Sequence, residues 1–446
     1  MAEIIVAGGG NGGLVAAISL AKAGLSVTLF EEKSKDSLGL CQTDAVDLSA
    51  FTYADIPVPD YFRRGRNEVT FIPKNADAGS LTLPPQHDVS LLVDRKELAE
   101  YLFALAEGYG VKICYGEKVL CSVILGNRVV GIKTDKSTYY ADLVIDACGV
   151  NSPVRNSLPD HLNINRPIEK YDVVYSYRGY FNRVADAPTP KTDYNIYFKD
   201  DGTKGFCWLV TEFDRVDALI CRFYKAEQSE ILDALNTLHE ENSHMGLDLV
   251  YGGSNGIIPV CQPLGTLVSD GYAAVGDSAF MTFAIKGSGI AFSMKAGKIL
   301  ADAIVSDKNK CYTQETLWDY QRVFFKEIGF YACAIALIKN MLPFMTAEDV
   351  NKLFELKIIT TEELSELWEN KSDAIFNAKG AAKLKEKIRL VRDEPILKNI
   401  FSNLAVWIAR LAVLQTAFPN KYNKQDVAEW NEKYNKFFES IKRKDD

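Results

Sequence analysis

EIIVAGGGNGGLVAAISLAKAGLSVTLFEEK, Glu3 to Lys33, is the stretch from which the fold follows. Glu3 to Ala7 is a short apolar run, GGGNGG fills Gly8 to Gly13, and LVAAISLAKAG has the apolar spacing of a helix that stops at Gly24. SVTLFE then alternates as a second strand ending at Glu31. Strand, glycine turn, helix and strand make one βαβ unit. Gly8, Gly10 and Gly13 satisfy G-x-G-x-x-G: a tight turn, close backbone approach to a pyrophosphate, and contact between helix and strand. Asn11 and Gly12 open the helix, whose first N–H groups and partial positive charge suit phosphates. Glu31, with Glu32 beside it, ends the second strand where a carboxylate accepts both ribose hydroxyls of an adenosine and repels a 2′-phosphate. A glycine-rich turn without a ligand is the competing reading. The flanking strand, helix and acid favour a dinucleotide, without separating FAD from NAD.

A second constellation makes that separation. In GDSAFMTFAIKGSGI, Gly276 to Ile290, Asp277 follows an apolar strand and can bond a ribityl hydroxyl. The N–H groups of Gly287, Ser288, Gly289 and Ile290, at a helix start, can stabilise negative charge on the N1/C2=O edge of a reduced flavin. NAD has no group that needs this arrangement, so the expected cofactor is FAD. Lys286 belongs either at the flavin edge or in solvent.

Outward from these motifs, the chain reads as α/β with an α+β second domain. A Rossmann-type FAD-binding domain takes residues 1–155 plus 265–310, with loops 39–90 over its site. Asp94 caps a helix reaching Gly110. Alternating stretches such as DVVYSYRGYF and GFCWLVTEF predict a mostly antiparallel sheet in a substrate domain, 156–264, with one helix over Gln228 to Glu241. Helical periodicity prevails in a C-terminal region, 311–446.

A net charge of −8 argues against nucleic-acid binding, which needs clustered cations. The late basic residues, among them Lys436, Lys442, Arg443 and Lys444, alternate with acids as on a solvated face. Nine cysteines contain no CxxC pair and no zinc spacing, so they read as reduced, mostly buried thiols, and no metal is expected. No secretory signal precedes the first strand, which fits a cytoplasmic location. Phe330 to Met345 carries Lys339 and Pro343, and Phe401 to Phe418 carries Arg410. Both read as core helices rather than spans, with a lipid-facing surface or greasy tunnel as the alternative. His87, His161, His239 and His244 lie outside every motif, which leaves the chemistry to the cofactor.

GGGNGG with Glu31, Asp94–Arg95, DLVIDACGVNSPVR at Asp142 to Arg155, and GDSAFMTFAIKGSGI together resemble the FAD-binding set of the para-hydroxybenzoate hydroxylase-like flavoproteins. Within that group the chain looks most like the geranylgeranyl reductases, since GLCQTD at Gly39 to Asp44 resembles their Cys-bearing loop and IPVCQPLGTLVSDGYAAVGDSA the stretch before their flavin Asp. It departs from them at Ala284, where they carry Pro, and at Phe206 to Thr211, where only Trp208 of their YxWxFP motif is kept. The resemblance implies Arg95 near the ribityl or pyrophosphate and Val119 beside the adenine. It also raises Cys41 from a small buried residue to an active-site candidate, and Trp208 from a core side chain to a cavity wall. It implies reduction of a C=C bond in an apolar or lipid-like, isoprenoid-type substrate. NAD(P)H or a ferredoxin-like protein would be the electron donor, and peripheral membrane contact is compatible with it. The alternative is an FAD-dependent monooxygenase (hydroxylase) or a flavin-dependent halogenase; of the halogenase WxWxIP motif one Trp is present and no Pro.

Overall fold

The computed structural model describes residues 3–65, 68–85, 89–188, 190–198, 204–368 and 378–441. His87 and the basic residues 442–444 lie outside them. β1 (Glu3–Ala7) and β2 (Ser26–Glu31) pair in parallel, Ile4 with Val27 and Ala7 with Phe30, and α1 (Asn11–Lys22) crosses between them. Ile4, Ile5, Val6 and Ala7 are all buried because helices cover both faces of the sheet, which is why β1 is apolar throughout rather than alternating.

From there the chain makes β3 (Thr43–Asp47), α2 (Leu48–Tyr53), β4 (Arg63–Arg64), β5 (Val69–Pro73), β6 (Leu81–Leu83) and β7 (Ser90–Asp94). The helix α3 (Arg95–Gly108) follows, with Asp94 accepting from Lys96 and Glu97 N–H as its cap. β8 (Lys112–Tyr115) joins the edge of the first sheet, and β9 (Val119–Leu125), β10 (Arg128–Thr134) and β11 (Thr138–Tyr140) form a small sheet of their own. β12 (Leu143–Asp146) returns beside β1, followed by the short α4 (Pro153–Asn156).

The chain from residue 173 to 259 contains β13 (Val173–Arg183), β14 (Tyr194–Phe198), β15 (Phe206–Thr211), β16 (Arg215–Arg222), α5 (Gln228–Glu241) and β17 (Met245–Pro259). Their sheet has seven strands in the order β17-β13-β16-β15-β14-β5-β6. The sequence reading expects loops and short strands over the site from Gly39 to about Pro85; of these, Val69 to Leu83 extend this second sheet, β5 running parallel to β14. The open edge of β14 needs backbone partners, and burying Val69 and Phe71 supplies the apolar gain.

β18 (Val268–Ser269) and β19 (Tyr272–Ala274) complete the first sheet, in the order β18-β19-β12-β1-β2-β8. α6 (Ile290–Ser306) packs against α1. The C-terminal helices are α7 (Trp318–Phe324), α8 (Phe330–Lys339), α9 (Ala347–Glu355), α10 (Thr361–Trp368), α11 (Ala378–Leu390), α12 (Pro395–Thr416) and α13 (Lys424–Glu439). Phe325, Phe330, Phe418, Trp430 and Tyr434 form the aromatic core that locks α7, α8, α12 and α13 together. Among the described residues two stretches are long and apolar enough to cross a membrane: Trp318–Phe344, with 72% of its most apolar 18-residue window buried, and Pro395–Thr416, with 28% of its window buried.

Candidate active site

The glycine turn owes its shape to backbone crowding. Gly8 has φ +90°, and a Cβ there would stand 2.6 Å from Ala147 O. Gly10, by contrast, faces a cavity and has only Ala147 within reach of an added Cβ. The first intrahelical bond of α1 runs from Leu14 N to Gly10 O, so the amides of Asn11, Gly12 and Gly13 precede the helical ladder. Glu31 accepts from Gly9 N (2.8 Å) and Lys33 N (2.9 Å), which fixes its carboxylate beside the turn. Glu32 lies at the cavity rim, 3.6 Å from Lys118 Nζ.

The second motif arrives from the other side. Asp277 accepts from Thr282 Oγ1 at 3.2 Å and opens onto the same cavity. Enclosure by protein raises its pKa, while the charge of Arg95 and the Thr282 bond act in the opposite direction. Ser293 N closes the first turn of α6 onto Gly289 O, leaving the amides of Ile290, Ala291 and Phe292 outside the ladder at the cavity wall. The loop before it is pinned by a backbone bond from Phe283 N to Ser288 O at 3.0 Å. Lys286 lines the cavity with its Nζ 4.8 Å from the Phe283 ring centroid.

One cavity of about 1410 Å³ joins Gly10, Asn11, Gly12, Glu32 and Arg95 to Asp277, Gly287, Ser288, Gly289 and Ile290. Trp208 and Phe206 line it from alternate positions of β15. Past the second sheet it continues as an apolar arm bounded by Leu342, Met345, Leu353, Phe354, Leu404 and Ile408. Two helix starts and the Asp277 carboxylate, all facing the same space, with Glu31 held just behind the glycine turn, fit FAD: amides for the pyrophosphate, an acid for a ribityl hydroxyl, and amides for the electron-rich flavin edge. Gly8, Gly13, Glu31, Val119 and Cys41 do not line the cavity. Val119 is buried at the start of β9. Cys41 is exposed rather than buried, close to Tyr251, whose hydroxyl donates to Asp94 Oδ2. All nine cysteines are free, and only Cys221, Cys261 and Cys333 are fully buried, fewer than the sequence reading expects.

Sequence reasoning misses the charges that assemble this space. Arg178, in the middle of β13, sets its guanidinium against Asp217 (Nη2–Oδ2 2.6 Å) and Asp44 (Nη1–Oδ1 3.1 Å). Asp44 also meets Arg95 Nε at 3.4 Å, so a ladder of alternating charge runs from the second sheet to the cofactor cradle. Arg178 further lies 5.3 Å from the Trp208 ring centroid. Asp146 and Arg155, both inside the Asp142 to Arg155 motif, are engaged by neighbouring protein groups instead. Asp146 takes Ser152 Oγ (2.6 Å), Tyr272 Oη (2.9 Å) and the Arg155 amide (3.1 Å), while Arg155 donates to Ser278 O and Val150 O. No local sequence signal separates such bracing residues from ligand contacts.

Residues 3–150 match a family model described as FAD dependent oxidoreductase, and residues 89–303 match a second model with the same description. A digeranylgeranylglycerophospholipid reductase of Sulfolobus acidocaldarius is 23% identical over 389 residues, 82% of this chain and 82% of that protein. Among solved structures, a geranylgeranyl bacteriochlorophyll reductase-like protein from Thermoplasma acidophilum superposes with a TM-score of 0.72 at 19% identity, covering 87% of this chain and 99% of that one. The flavin-dependent brominase Bmp2 shares the fold at a TM-score of 0.64 and 16% identity, over 88% of this chain and 100% of that one.

Proposed function

We propose that this FAD-dependent oxidoreductase reduces a carbon–carbon double bond in an apolar, isoprenoid-type substrate. The observation that carries the reading is the continuity of the cofactor cradle with the apolar arm through Leu353 and Ile408, a space suited to a long hydrocarbon chain. The reductase similarity of the relative in Sulfolobus acidocaldarius supports it. Bound and reduced FAD would supply the hydride; the protein's part is to bind, orient and exclude water.

In this reading the amides of Asn11, Gly12 and Gly13, with Gly8 and Gly10 shaping the turn, hold the pyrophosphate. Glu31 takes the adenosine ribose with Glu32 at the rim, and Val119 backs the adenine. Arg95 and Asp277 address the ribityl and pyrophosphate, and Gly287, Ser288, Gly289 and Ile290 address the flavin edge. Trp208 forms the wall opposite, and Cys41 contributes from the loop that Asp44 ties down. NAD(P)H or a ferredoxin-like protein donates the electrons, and the exposed side of α12 is the surface for peripheral membrane contact in a cytoplasmic protein.

The test is to reduce the FAD-loaded protein without oxygen, add geranylgeraniol or geranylgeranyl diphosphate, and analyse products by mass spectrometry. A gain of two hydrogens per reduced bond is the expected result. No reduction of any prenyl substrate, together with oxygen-dependent hydroxylation or halide incorporation, would move the protein to the monooxygenase or halogenase class that shares its fold.

A further inference from the structure

Lys339 ends α8 and lines the cavity, yet only 2% of its surface is exposed. Its ammonium donates one hydrogen bond, to Tyr171 O at 2.6 Å, and lies 5.6 Å from the Phe223 ring centroid. An ammonium has three donors. The carboxylate in its neighbourhood, Asp172, is already engaged by Arg166 at 3.2 Å and by the Glu169 amide, and Arg166 also reaches Cys261 Sγ at 2.9 Å. Among the described residues Lys339 therefore has no ion pair. Holding a charge in a dry wall without a counter-ion costs stability, and such groups concentrate where a ligand supplies the missing partner.

We propose that Lys339 is the docking point for an anionic head group, carboxylate or phosphate, at one end of the apolar ligand that fills the cavity. The inference rests on the cavity being the substrate site of the proposed reductase, and it assigns the head-group end of the ligand to Lys339. The other cations of the cavity are differently placed. Arg178 is neutralised by Asp217 and Asp44, Arg95 by Asp44, and Lys383 and Lys387 by Glu366 and Glu363 at the far end, while Lys286 lies over the Phe283 ring beside the Gly287 turn. The wall next to Lys339 continues through Ile338, Met341, Leu342 and Met345, which match a hydrocarbon tail. A neutral chain would satisfy that wall and leave the ammonium unpaired; an acid-headed chain satisfies both. Burial lowers the Lys339 pKa to about 8, with Cys261 and Asp172 acting to raise it and Arg166 to lower it. A bound anion would push it up again, so preference for the acid should fall at alkaline pH.

The experiment titrates FAD-loaded full-length protein with farnesol, farnesoic acid and farnesyl monophosphate by calorimetry at pH 7, without turnover. The expected result is at least one acid binding tenfold or more tighter than farnesol, with the larger gain identifying the head group. Lys339→Met should erase that preference while leaving farnesol affinity and FAD content unchanged, and Lys339→Arg should keep most of it. Equal binding of all three probes by the wild type, or an acid preference that survives Lys339→Met, overturns the proposal. Should Lys339→Met not fold, loss of the wild-type acid preference between pH 7 and 10 supports the proposal in its place, and persistence of that preference overturns it. Because only binding is read, an absence of alkene reduction would defeat the reductase reading without deciding this one.

Discussion

Asp44 Oδ1 lies 3.1 Å from Arg178 Nη1, and this pair joins β3, just after the Cys41 loop, to the centre of the second sheet. Arg178 also carries Asp217, which is only 2% exposed. Arg178→Met removes the counter-ion of a buried carboxylate, so unfolding free energy should fall by about 3–5 kcal/mol. Asp44→Asn, at a half-buried position, should cost far less. Denaturant titration of both variants checks the order, and an Arg178→Met protein as stable as wild type would show that the pair does not brace the fold.

Glu31 stands where the adenosine ribose is proposed to bind and already orders the glycine turn through Gly9 N. Glu31→Ala loses both interactions. Hydrogen bonds to a charged group are worth about 1.5–3 kcal/mol, so FAD affinity should drop by roughly 10- to 150-fold. Purified Glu31→Ala protein that retains stoichiometric FAD through dialysis would remove Glu31 from the cofactor site.

Asp277 has a raised pKa because burial disfavours its charge. An acid whose folded pKa exceeds its unfolded value lowers stability above that folded pKa, and the penalty vanishes as pH falls through it. Asp277→Asn keeps the Thr282 bond without the charge. The FAD-free variant should be about 1–2 kcal/mol more stable than FAD-free wild type at pH 7. Thermal melts should show that gap closing as the pH is lowered toward 4.

Lys339 reverses the sign. Its folded pKa, about 8, lies below the ordinary lysine value of 10.5, so the buried charge is a penalty at neutral pH that is relieved as pH rises from 8 to 10.5. Lys339→Met should therefore be more stable than ligand-free wild type at pH 7, by up to about 3 kcal/mol at one pKa unit per 1.4 kcal/mol. Melts at pH 7, 9 and 10.5 should show the difference shrinking. A difference independent of pH would mean that Lys339 is not buried as a charged group.

The glycine turn, α1 and Glu31 were legible because every determinant lies within one continuous stretch: apolar period, glycine spacing and terminal acid. The Asp277 and Gly287–Ile290 motif was legible for the same reason. Lys339 was visible only as a polar interruption in Phe330 to Met345, an argument against a membrane span. That it is a buried cation without an ion pair depends on Tyr171, Phe223 and Asp172, far away in sequence. Arg178 looked like one polar residue in an alternating strand; its partners come from β16 and from the N-terminal end of β3.

By itself, then, the sequence determined the opening βαβ unit, its glycine turn and the turn before the Ile290 helix, since hydrogen bonding and hydrophobic period act over a few residues. Only the tertiary structure decided that Val69 to Leu83 extend the second sheet, and that Asp146 and Arg155 bond neighbouring protein groups while Asp277 opens onto an enclosed cavity. It also decided that the cradle opens into an apolar arm with one buried ammonium on its wall. Those are matters of which distant surfaces meet, and burial and Coulomb energy act on distance in space, not on distance along the chain.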